Sequence, residues 1–159
     1  MSLKSLSFMM KTIVILLGVC GAVLFGAVAP FAGNSIAQEY PEFAYCFVPW
    51  LMFILIMALP CYAVLILAWQ IAASIARENI FTQRNSARLR AVAWLALGTS
   101  VYLFFGNVVS LLLNMSHFSV LLGWALIVFI GICVSVASAV LSHLVKRAAV
   151  LQEQSDLII

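Results

Sequence analysis

Arg77, Arg84, Arg88 and Arg90 fall within one short polar segment between long apolar runs. Guanidinium groups at that density bind anions, whether lipid phosphates, a partner's carboxylates or the chain's own acidic tail. A helix that begins before Arg84 puts Arg84 and Arg88 one turn apart, on one face. Ile80 and Phe81 interrupt the same polar segment, and an exposed apolar pair beside cations marks a contact surface. Glu153 and Asp156 near the C-terminus carry the complementary charge. The expected binding face is therefore Arg77, Ile80, Phe81, Arg84, Arg88 and Arg90, with Glu153 and Asp156 from the tail. The competing expectation is topological: the arginines hold their segment on one side of a membrane and attract anionic lipid, at about 1 kcal/mol each.

A second set of polar residues lies inside the apolar runs. Asn107, Ser110 and Asn114 recur at helical spacing and share a face, as do Ser135, Ser138 and Ser142. Two such stripes on adjacent helices are expected to hydrogen-bond each other and admit close packing. The alternative is a polar cavity or path between them. No Asp, Glu, Lys or Arg falls near the middle of an apolar run, which argues against an ion-coupled transporter or proton pump. His117 and His143 belong to opposite ends of one run, so they share no metal site. Cys20, Cys46, Cys61 and Cys133 show no ligand or disulfide spacing and read as packing residues. No phosphate-binding glycine loop, HExxH or nucleophile elbow is present, so neither an enzyme nor a cofactor is expected. The basic segment is too short and too close to the apolar runs for direct nucleic-acid binding.

These residues are held by elements of one kind. The chain is 66% hydrophobic and 8% charged, against about 25% charged in soluble domains. A hydrocarbon layer of about 30 Å takes roughly 20 helical residues. Four runs satisfy this, at about 10–31, 46–76, 91–113 and 120–145, with a loop at 77–90 and a tail at 146–159. The expectation is an all-α, single-domain bundle of four transmembrane helices. The first run is longer than a signal-peptide core and is expected to be retained. Gly18, Gly21 and Gly26 within it suggest close helix approach, and residues 33–42 read as a polar connector. Pro60 should kink the second helix. Asn79 is a plausible end for that helix, and Thr82 an N-cap for the third. Residues 114–119 form a tight turn, and the first half of the tail continues the fourth helix. The end, Leu157-Ile158-Ile159, is expected to pack back under the bundle.

With four spans, Lys4, Lys11, the four loop arginines, Lys146 and Arg147 all fall on one side, while the opposite connectors hold Glu39 and Glu42 but no Lys or Arg. That split predicts both termini and the loop inside. Asn114-Met115-Ser116 matches a glycosylation acceptor.

The loop and the ending also carry a resemblance. Glu78-Asn79-Ile80-Phe81-Thr82-Gln83-Arg84-Asn85, followed by Leu89-Arg90, and the close Ala149-Val150-Leu151-Gln152-Glu153-Gln154-Ser155-Asp156-Leu157-Ile158-Ile159 resemble the domain-of-unknown-function 2975 family of small bacterial membrane proteins. Members show a Phe-Thr-x-x-Asn step and then Leu-Arg between helices two and three. Asn79 stands where Gly is common and Ile158 where Thr is common. The resemblance implies four helices and, from frequent neighbourhood with a small helix-turn-helix regulator, a membrane partner for a DNA-binding protein.

The resulting expectation is a non-enzymatic membrane anchor or regulator acting by protein binding. Its partners would be membrane lipids, a cytoplasmic protein and, through small residues on the spans, a second copy. The alternatives are a small transporter or channel component using the Asn and Ser stripes, and an immunity protein against a membrane-active toxin.

Overall fold

The computed structural model describes residues 3–77, 80–116 and 118–156, with the side chain of Asp156 excepted. Every regular element among the described residues is helical: α1 (Leu3–Val23), α2 (Ala29–Glu39), α3 (Phe47–Ala76), α4 (Gln83–Leu112) and α5 (Phe118–Asp156). A single π-helical stretch, Leu24–Val28, joins α1 to α2 without a break. Pro30 follows directly. It has no N–H to return to the preceding turn, and a widened turn is a common way for a helix to absorb that loss. The first rod therefore runs to Glu39, through residues expected to form a connector. The real connection is the short 3-10 helix Pro41–Cys46. The third-helix cap falls where expected, at Thr82, and α3 passes Pro60 without ending.

Four helical rods are long and apolar enough to cross a membrane. At about 1.5 Å per residue, the 39 residues of α5 reach roughly 58 Å, well past a hydrocarbon layer of about 30 Å. Only 6% to 17% of each rod's most apolar stretch is buried within the chain. Phe31, Leu59, Leu112 and Phe129 are all more than 60% exposed. Water would not tolerate such a surface, whereas lipid tails solvate it.

The rods pack in chain order. The first rod lies on α3, α3 on α4, and α4 on α5, with the last pair packed most extensively. Among the described residues, α5 touches α4 alone, so the bundle is open rather than closed on itself. Each seam is set by small residues or by hydroxyls reaching backbone carbonyls. Ser7 Oγ donates to the carbonyl of Ala72 at 2.6 Å, and Lys11 Nζ lies 5.3 Å from the centre of the Trp69 ring. Tyr62 donates to the carbonyl of Gly18 at 3.0 Å, with its hydroxyl 3.3 Å from where a side chain on Gly21 would begin. Gly18 and Gly21 thus admit α3, while Gly26 faces open space. Between α3 and α4, Phe53 stacks on Tyr102 at 4.7 Å and lies over Gly106, where no side chain fits. Between α4 and α5 the chain turns at Asn114, whose φ of 56° is the left-handed conformation Asn tolerates. The cysteines are all free: Cys46 is buried, Cys61 half-buried, and Cys20 and Cys133 exposed.

Candidate functional site

Where α3 gives way to α4, the chain builds a clamp from its own polar side chains. Thr82 caps α4 in extended geometry, and its Oγ1 accepts the backbone N–H of Asn85 at 3.2 Å. Asn85 is 2% exposed and its Nδ2 donates to the carbonyl of Ile80 at 3.0 Å. Arg88 then ties this turn to the preceding helix. Its Nη1 donates to Asn85 Oδ1 at 2.9 Å, to Ser74 Oγ at 3.0 Å and to the carbonyl of Gln70 at 3.3 Å. One guanidinium nitrogen shared among three acceptors from two helices ties α4 to α3 through charge-assisted hydrogen bonds.

This divides the four arginines. Arg88 is half-buried and faces α3, so it does not share an exposed face with Arg84. The reason is helical: Asn85, Arg88 and Val92 lie at three- and four-residue spacing, and Asn85 and Val92 are both buried. Arg77 and Arg84 are exposed. Arg90 stands about 200° around the helix from Arg88. It is also exposed, over a groove between α4 and α5 that His143, Lys146 and Arg147 border. Ile80 is half-buried, and Phe81 beside it is 50% exposed. Glu153 is exposed on the far turns of α5. The side chain of Asp156 lies outside the described residues, as do Glu78, Asn79, His117 and Leu157–Ile159, so the expected helix end at Asn79 and the folded-back terminus fall there too.

The polar stripes do not meet as expected. Asn107 Nδ2 donates to the carbonyl of Leu103 and Ser110 Oγ to that of Gly106, each at 2.8 Å and each within α4. Asn114 is exposed in the turn, and Ser138 is half-buried. Ser135 Oγ instead reaches the carbonyl of Ala93 at 2.8 Å. Ser86 and Ser142 exchange bonds: Ser86 Oγ to the Ser142 carbonyl at 2.9 Å, and Ser142 Oγ to the Ser86 carbonyl at 2.7 Å. An antiparallel hairpin turning at residue 114 sets Asn107 opposite the start of α5. Ser135 and Ser142 lie opposite the start of α4. The real seam is Ser86, Ala93 and Ser100, one heptad apart, against Ser142, Ser135 and Gly131. That repeat is visible in the sequence, but it begins inside the segment taken for a loop. Asn107, Ser110, Ser135 and Ser142 each donate to a backbone carbonyl, and among the described residues no cluster of His, Cys, Asp and Glu is placed to hold a metal.

The Phe-Thr-x-x-Asn step now has a physical content. Thr82 and Asn85 make the bonds of the clamp, while the two residues between them, Gln83 and Arg84, are exposed. No curated protein and no solved structure matches the chain. A family model does, over residues 31–159, a range that takes in α3, the clamp, α4 and α5. The chain therefore belongs to the family described as "Protein of unknown function (DUF2975)".

Proposed function

We propose that this protein is a non-enzymatic, multi-pass protein of the bacterial inner membrane that holds a cytoplasmic protein at the end of its rods. The recognition face is Phe81 with Arg77 and Arg84, flanked by the projecting end of α5 that carries Glu153. The observation that carries this reading is Phe81: an aromatic side chain left 50% exposed on a turn that Thr82, Asn85 and Arg88 hold rigid. A preorganised aromatic beside exposed guanidinium groups has the composition of an interface hot spot, and it loses little entropy on binding. Arg88 supports the face without belonging to it. In this reading both termini and the loop lie on the cytoplasmic side, which the distribution of Lys and Arg favours. A small helix-turn-helix regulator is the class of partner that the family resemblance suggests.

Affinity capture of the tagged protein in mild detergent tests this. A cytoplasmic protein retained by the parent, released by Phe81→Ala and by Arg84→Ala, and kept by Arg90→Ala is the expected result. Equal recovery from all four forms would remove the loop from the binding face. The transport alternative loses ground because the Ser135 and Ser142 hydroxyls are engaged with backbone carbonyls of α4.

A further inference from the structure

We propose that the groove between the start of α4 and the end of α5 binds the phosphate headgroup of an anionic phospholipid. The groove encloses ≈ 690 Å³, within the range of about 300–1,000 Å³ usual for ligand sites. Arg90 borders it from α4, and His143, Lys146 and Arg147 border it from α5 at three- and four-residue spacing. None of its lining residues is a carboxylate, and Arg90 of α4 stands across the hollow from Lys146 and Arg147 of α5. Arg90, Lys146 and Arg147 are exposed and make no hydrogen bond or ion pair among the described residues. Arg88, two residues from Arg90, makes three hydrogen bonds. Like charges gathered without counter-charge repel one another, and an anion bound between them relieves that repulsion.

The shape of the site selects a lipid over a soluble anion. Trp94, one turn further into the apolar part of α4 than Arg90, forms part of the same wall and is 68% exposed. Ala139 continues that wall on α5, one turn deeper than His143. The groove thus sets its cations between an apolar inner wall, Trp94 and Ala139, and an apolar outer end at Val150 and Leu151. The inner wall gives acyl chains a surface beside a bound phosphodiester. An aromatic residue at headgroup depth is the usual companion of such a site. Basic pockets between membrane helices are known to take anionic headgroups. The site uses neither Phe81 nor Arg84, so it stands or falls independently of the partner-binding face.

The test is native mass spectrometry of the full chain in mild detergent, titrated with phosphatidylglycerol and, separately, with phosphatidylcholine. The groove variant carries Arg90→Gln, Lys146→Gln and Arg147→Gln, and the control carries Arg77→Gln and Arg84→Gln at the same end of the molecule. Circular dichroism and melting of all forms confirm that the folds are alike. About fivefold per cation predicts a loss on the order of 100-fold in phosphatidylglycerol affinity for the groove variant. The control should change by about twofold or less, and phosphatidylcholine should bind all forms alike. Trp94→Ala, which keeps every charge, should weaken phosphatidylglycerol as well. Equal losses in groove variant and control would overturn the site in favour of general charge attraction. Displacement by millimolar inorganic phosphate would overturn the lipid as occupant. So would tighter binding of an acidic decapeptide, which would point to a protein.

Discussion

Ser86 and Ser142 each donate a hydrogen bond to the other's backbone carbonyl, at 2.9 and 2.7 Å, across the seam of α4 and α5. Their hydroxyls lie 3.2 Å apart, so the two backbones approach closely where the rods leave the most apolar part of the chain. Both residues are nearly buried, at 3% and 4% exposure. A seam of this kind is held by fit as much as by hydrogen bonds, because lipid offers no competing donors but also little hydrophobic drive for association.

Ser86→Ala and Ser142→Ala should therefore each cost only about 0.6 kcal/mol, and at most about 1.7 kcal/mol. The carbonyls keep their helical partners, so no buried group is orphaned. Ser86→Leu should cost more, about 1–3 kcal/mol, by forcing the helices apart. Unfolding of the purified protein by sodium dodecyl sulfate in mixed micelles measures all three. A Leu variant no less stable than the Ala variant would show that the seam is loose.

Gly131 is the other point of contact. A methyl group there meets Ser100 Oγ, which is held by its 2.8 Å bond to the carbonyl of Ala96. Gly131→Ala should destabilise by about 1–3 kcal/mol through overpacking. Adding Ser100→Ala should recover most of that, because the remaining Ser100 Cβ lies at an ordinary 3.5 Å. Gly98 has nothing within 4 Å, so Gly98→Ala should be neutral or stabilising by up to about 1 kcal/mol. The same micelle unfolding assay ranks the four forms.

Arg88 should act as a structural tie. Arg88→Ala leaves Asn85 Oδ1 and Ser74 Oγ without their shared cationic donor, a loss of about 1.5–3 kcal/mol by the usual value for charged hydrogen bonds. The turn should then open more often, and trypsin should cut after Arg84 about tenfold faster or more. Arg88→Lys should restore only part of the protection, since the shorter side chain changes the reach to Gln70 and Ser74 on α3. Equal cutting of parent and Arg88→Ala would show that the clamp does not govern opening.

Topology is checked by single cysteines placed in a chain whose own four have been replaced by alanine. In intact cells an impermeant maleimide should label Ser35→Cys and Ser116→Cys, and should reach Gln83→Cys and Gln154→Cys only after lysis. Labelling of Gln83→Cys in intact cells would reverse the orientation argued from the Lys and Arg residues.

The cap at Thr82, the turn at Asn114 and the fit of Gly18 and Gly21 were legible because each depends on a local rule or on backbone approach. The inward turn of Arg88 was half legible: Asn85 and Val92 share its face, but its acceptors Gln70 and Ser74 lie on another helix. The first rod's passage through residues 33–39 was hidden because Glu39, Pro41 and Glu42 made residues 33–42 read as a polar connector. Polar residues cost a helix little once it has left the hydrocarbon, so composition marks where the membrane ends and not where the helix does.

By itself the sequence determined the solvent and the element type, because apolar runs of this length have no stable form but helices in lipid, where each backbone group must bond within its own segment. It also determined which residues carry charge at the rod ends. Only the tertiary structure decided which arginine turns inward, which serines meet, and that Arg90, Lys146 and Arg147 border one groove. Those outcomes depend on the register of α5 against α4 and of α4 against α3. Register is set by the summed fit of small residues along a whole seam, a property of two helices together that neither helix's own periodicity contains.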